Sequence, residues 1–131
     1  MIFLIDYNLQ GHSLILFGAI ASQGWLDLVP IQFVTFTQIE LPTDNNDRVV
    51  WRLAQENQMI LITANRSMKG KDSLEQVIRE ENTVTSLPVI TIGNPDRILN
   101  DLEYREKCVE RLIEIVLDLD EYRGLRRIFI P

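Results

Sequence analysis

The polar residues that could do chemistry in this sequence stand where apolar runs end. Asp6 closes "IFLID" and Asn8 lies two residues on; Asp44 and Asp47 precede an amphipathic stretch. Asn65, Ser67 and Asp72 follow the run Met59–Thr63, and Asn94 and Asp96 follow "LPVITIG". In a parallel α/β sheet, strand ends and helix starts line one crevice, and ligands bind there. Oxygen-bearing side chains gathered in it suit a hard cation such as Mg²⁺. Such an ion often needs only one or two carboxylates, because water and phosphate complete its shell. It can polarise a phosphoryl oxygen and activate water for phosphodiester cleavage. Each residue also has a plain structural use: Asp47 favours a helix N-terminus, and Asn65 is a common turn residue.

Other chemistries find less support. His12 is the only histidine and has no candidate nucleophile nearby in sequence, so a structural role is expected. Cys108, the single cysteine, lies on an apolar helical face and reads as a core thiol that is compatible with a reducing cytoplasm. No phosphate-binding loop, dinucleotide fingerprint or zinc spacing occurs, and "GNPD" at 93–96 is too short to count as one.

The elements that must position these groups follow from pattern. "IFLID" at 2–6, residues 59–63 and "LPVITIG" at 87–93 are short, nearly continuous apolar runs, the mark of parallel strands buried on both faces. "IQFVTFTQI" at 31–39 is β-branched and aromatic and predicts a further strand. "RRIFIP" predicts a closing edge strand. Helices are expected at about 14–23, capped by Ser13 and apolar nearly all round, and after Asp44, Asn45 or Asn46. Two more are expected, from Ser73 to about Arg79 and from about Asp101 to Glu121, while "NPDRILND" reads as a turn. Strands alternating with helices predict one domain over 1–131, a three-layer α/β/α sandwich on a mainly parallel sheet. The strands at 2–6, 59–63 and 87–92 should be central.

A chain of 131 residues suits one core. No apolar run approaches the roughly 18–20 residues of a membrane span, and "MIFLID" carries no basic leader, so a cytoplasmic protein without a membrane partner is expected. The net charge of −6 argues against broad electrostatic capture of nucleic acid. It leaves room for a local site, because Arg66, Lys69 and Lys71 cluster beside the third apolar run.

Two stretches sharpen the reading. "FLIDYNL" and "LPTDNNDRVVWRLAQENQMILIT" resemble the small stand-alone bacterial PIN-like domains over about residues 2–68, roughly half the chain. The resemblance implies an α/β/α fold and often a Mg²⁺- or Mn²⁺-dependent ribonuclease, frequently the toxin of a toxin–antitoxin pair. Asp6 and Asn8 match the family's first aspartate and the asparagine after it, and Asp47 matches the acid at the helix start. Tyr7, Asn65 and Ser67 stand where the family usually has acidic residues. An amide oxygen can ligate a cation but adds no charge, so a weakened metal site is implied. Asp72 is the one nearby acid that could compensate.

The first expectation is therefore a metal-dependent ribonuclease with Asp6 and Asp47 as catalytic carboxylates. Asp6, Asp47 and Asn65 would hold the metal, and Asn8, Arg66 and Lys69 would contact substrate. The second is a silent PIN-like domain that binds RNA or protein. The third is an unrelated domain that binds a phosphorylated small molecule. RNA, a small antitoxin-like protein and a second copy of the chain are the partners these readings imply.

Overall fold

The computed structural model describes residues 1–42, 46–67 and 69–131, so the candidate cap residues Asp44 and Asn45 lie outside the described residues. Among those described, five strands form one parallel sheet: β1 (Ile2–Ile5), β2 (Gln32–Thr35), β3 (Met59–Thr63), β4 (Val89–Ile92) and β5 (Arg127–Ile130), in the order β2-β1-β3-β4-β5. The three apolar runs are the central strands and "RRIFIP" is an edge, as their patterns require. Every residue of β3 and of β4 is buried.

The helices are α1 (Gln10–Ser22), α2 (Asp47–Glu56), α3 (Leu74–Glu81), α4 (Pro95–Asn100), α5 (Leu102–Leu117) and α6 (Leu119–Tyr122). Phe3, Ile5, Ile60, Ile62, Ile90 and Ile92 pack on the face carrying α1, α4 and α5, whereas Leu4, Leu61 and Val89 pack under α2 and α3. The alternation along each strand thus divides one sheet between two helical layers, giving the α/β/α sandwich. No helix among the described residues is long and apolar enough to cross a membrane.

Several local expectations are corrected. Ser13 does not cap α1; it lies inside the helix, and its hydroxyl donates to the Gln10 carbonyl (2.7 Å). The helix begins earlier because a tight turn over Tyr7–Leu9, closed by Leu9 N–H on the Asp6 carbonyl (2.9 Å), leads into it. Nor is α1 buried all round. Only one side meets the sheet, and Leu14 stays 75% exposed. β2 stops at Thr35, where the Gln38 side-chain carbonyl takes the Thr35 N–H (2.8 Å). "NPDRILN" opens a helix rather than a turn, since Pro95 occupies the first helical position, where a missing N–H costs nothing. The last long helix divides at Asp118, whose backbone (φ −116°, ψ 36°) leaves the helical region. Asn46, Ser73 and Asp101 are side-chain caps, on Val49, Gln76 and Tyr104 N–H; such caps each contribute about 1 kcal/mol.

The crossovers place the site. β1 reaches β2 through α1 on the first face, and the chain then steps back across the sheet through α2 and α3 on the second. These three connections share one hand. The step from β4 to β5 continues in the same direction, yet α4 and α5 lie beside α1. Its hand is therefore reversed. About 98% of such crossovers are right-handed, so a sheet mixing both hands is unusual. Two consequences follow. The strand order reverses at β1, opening a crevice beyond the ends of β1 and β3. The second face of β5, which carries Arg127 and Phe129, has no crossover helix of its own.

Candidate functional site

Asp6 leaves β1 with its N–H still in the sheet, donating to the Ile62 carbonyl (3.0 Å). Its carboxylate accepts the Thr63 hydroxyl at 2.6 Å, and the same hydroxyl oxygen accepts the Asn65 N–H at 2.9 Å. Thr63 is fully buried, so this oxygen is a fixed junction between the ends of β1 and β3. Burial raises the Asp6 carboxyl above its ordinary range; the Thr63 hydroxyl and a backbone contact at Tyr7 pull it down, and the Asp47 charge adds to the rise. Thus the two carboxylates feel one another.

Asp47, the first residue of α2, uses one oxygen twice. It accepts the Asn65 side-chain amide N–H (2.9 Å) and the backbone N–H of Leu74 at the start of α3 (2.9 Å). Asn65 is correspondingly engaged on both sides: its side-chain oxygen accepts the Ser67 N–H (2.8 Å), leaving the donor end for Asp47. Its backbone carbonyl accepts the Arg127 guanidinium (2.7 Å), which also donates to the Thr91 hydroxyl (2.7 Å) and pairs with Glu75 (3.3 Å). Burial lowers the Arg127 guanidinium and the Glu75 charge opposes that shift.

A cleft of about 370 Å³ opens over these groups. Asp6, Asn8, Asp47 and Asn65 all line it, with Thr63 at its floor and Phe36 on its wall. Arg66 and Lys69 are not among its lining residues. Arg66 turns to the other side of the loop, donating to the Gly93 carbonyl with its guanidinium over the Phe129 ring, and Lys69 is exposed. Asp72 does not compensate for the missing acids, because it pairs with Arg48 (2.8 Å). Among the described residues no group of three or more His, Cys, Asp or Glu side chains is placed to hold a metal.

The two remaining candidates fall elsewhere. His12 Nε2 lies 3.6 Å from Asp96 and does not line the cleft. Cys108 is buried and its thiol is pushed up to about 12 by burial, which leaves it a thiol at neutral pH.

Sequence reasoning missed Thr63 and Arg127 as organisers of the site. Each had a signal. Thr63 is the one polar residue of an apolar strand, and Arg127 is a charge inside a strand register (opposite Val89) where an apolar residue is usual. The chain matches no protein-family model, no curated protein and no solved structure.

Proposed function

We propose that this chain is a PIN-like domain whose cleft takes Mg²⁺ or Mn²⁺ between Asp6 and Asp47 and cleaves single-stranded RNA slowly. The observation that carries the reading is that two carboxylates share one polar cleft whose contacts to them are all neutral: the Thr63 hydroxyl, the Asn65 amide and the Leu74 N–H. A pair of hard oxygen ligands hydrogen-bonded by neutral groups, with the nearby Arg127 guanidinium attracting the Asp47 charge, fits a weakly held cation that keeps most of its water. When bound, such an ion supplies Lewis acidity to a phosphoryl oxygen and an activated water. Both ligands are held: Thr63 fixes one oxygen of Asp6, and Asn65 and Leu74 fix one oxygen of Asp47. Asn65 holds Asp47 in place and contributes no charge, so cation affinity is low. Asn8 on the rim orients substrate.

The donor end of Asn65 also favours a second reading, a silent domain that binds RNA or a protein partner through the same cleft. There the amide stands in for the cation, as a neutral group that satisfies Asp47.

One experiment separates them. The natural chain, Asp6→Asn and Asn65→Asp, purified identically, are assayed on labelled single-stranded RNA with Mn²⁺, Mg²⁺ or EDTA. The expected result is slow, cation-dependent cleavage, reduced roughly 100-fold or more in Asp6→Asn. Asn65→Asp should melt earlier than the natural chain in EDTA, because two carboxylates would then meet at the 2.9 Å now spanned by a hydrogen bond. Mn²⁺ should restore its stability and raise its rate above the natural chain's. Inactivity of the natural chain with every cation would select the silent reading. Equal cleavage by all three proteins would mean a contaminating nuclease and would remove the proposed site.

A further inference from the structure

The loop after β3 sends consecutive side chains to different places: Asn65 into the cleft and Arg66 over Phe129. Phe129 is 52% exposed on the second face of β5, the face that the reversed crossover leaves without a helix. The Arg66 guanidinium lies 5.7 Å from the ring centroid and that of Arg127 lies 5.9 Å from it, both within cation–π range. The two differ in freedom. Arg127 is held by Asn65, Thr91 and Glu75, so it is a fixed part of the sheet. Arg66 is exposed, and among the described residues its guanidinium donates to one carbonyl, that of Gly93.

We propose that Phe129 is a stacking platform for an unpaired nucleobase, with Arg66 as the cation that meets the adjoining phosphate, so that a single strand crosses from this platform to the Asp6–Asp47 cleft. The inference rests on the RNA reading of the cleft and assigns it a strand-binding surface. The half-exposed ring carries the Arg66 guanidinium near it, and when that exposed cation turns to a phosphate the ring can take an unpaired base, which a duplex cannot supply. Charge favours an anion beside Arg66: in a chain of net charge −6, two guanidiniums lie near one ring, and while Arg127 is paired with Glu75, no ion pair among the described residues engages Arg66. Stacking accepts any base, so RNA and single-stranded DNA share the chemistry and must be told apart by experiment.

The test is fluorescence anisotropy in EDTA, which prevents cleavage and keeps the cation out of the measurement. Labelled oligouridylate, oligodeoxythymidylate and an RNA duplex are titrated with the natural chain and with Phe129→Ala, Phe129→Leu and Phe129→Trp, while sedimentation follows self-association. Phe129 is half in water, so all three variants should fold, and circular dichroism checks that they do. Phe129→Ala and Phe129→Leu should weaken single-strand binding roughly 10-fold, and Phe129→Trp should keep or improve it. The ribo-oligomer should bind at least as tightly as the deoxy-oligomer, and clearly tighter binding of the deoxy-oligomer overturns RNA as the occupant. The proposal is overturned by equal affinity of Phe129→Ala and the natural chain, by full binding in Phe129→Leu, or by a duplex that binds with the same dependence on Phe129. It is also overturned if Phe129→Ala breaks a dimer and leaves single-strand affinity unchanged, since the ring would then serve a second copy at the β5 edge. Cleavage lost with binding kept bears on the cleft alone, whereas cleavage kept without Phe129 dependence removes the platform alone.

Discussion

Asp47 and Arg48 are consecutive residues at the start of α2, and they enter opposite charge arrangements. Arg48 draws Asp72, Glu80 and Glu81 around one guanidinium, and Arg52 takes a second oxygen of Glu81. Each acid on that side is paired with a guanidinium, and Glu80 and Glu81 are shifted down. Hydrogen bonds from Gln76 and Arg48 hold Glu80 below the usual carboxylate range, and Arg52 does the same for Glu81. On the other side of the helix start, Asp47 and Asp6 are met by neutral donors, and Asp6 is shifted upward. The same carboxylate chemistry is thus stabilising in one place and held under electrostatic tension in the other. A carboxyl raised by burial beside a second carboxylate marks functional sites more often than structural ones, although here the Arg127 guanidinium offsets part of the Asp47 charge.

The contrast can be broken at its most rigid point. Thr63→Val keeps shape and removes the hydroxyl that joins Asp6 to the Asn65 N–H. Both partners lose a buried hydrogen bond, and urea unfolding should report a loss of about 1–3 kcal/mol. Cation-dependent cleavage should fall with it. An unchanged midpoint would show that the junction does not organise the cleft.

Arg48→Met should lower the melting temperature by less, because the acids it deserts can turn to water. Its effect has a defined pH dependence. Groups whose carboxyls lie low in the fold stabilise it above the ordinary carboxylate range and cease to do so as pH falls through their folded values. The difference between Arg48→Met and the natural chain should therefore be full at pH 7 and shrink in acid. A difference independent of pH would mean that the methionine perturbs packing and not charge.

The smallest effect, with the opposite sign, is expected for Asp6→Asn without added cation. Folding favours protonated Asp6 relative to the unfolded chain, so Asp6 helps stability in acid and loses that help as pH rises through its raised pKa. Replacing it by the amide should raise the melting temperature slightly at pH 7 and leave it unchanged in acid. Mn²⁺ should reverse the order at pH 7, since cation at about ten times its Kd stabilises the natural chain by about 1.4 kcal/mol and the variant by little. A melting temperature lower than the natural chain's in EDTA would remove the tension assigned to the cleft.

How much of this could be read beforehand varied by element, for a physical reason. Runs such as 59–63 and 89–92 are apolar but for one threonine each, and only a strand covered on both faces can bury them, so the sheet's centre was legible. The same logic failed for α1, where an apolar composition placed Leu14 in water, because a helix in an outer layer has only one side to bury.

Local sequence by itself determined the strands, the Ser73 cap and the arrival of Asp6, Asn8, Asp47 and Asn65 at strand ends and a helix start, since each depends on periodicity or on neighbours a few residues away. Tertiary structure alone decided what those groups do there. The Asn65 amide turns its donor to Asp47 because Ser67 takes its oxygen, and Asp72 is lost to the cleft because α3 brings Glu80 and Glu81 to the same arginine. Phe129 meets water because the last crossover reverses its hand. These outcomes depend on contacts between residues far apart in the chain, and the face on which a helix packs leaves no mark in the spacing of its own side chains.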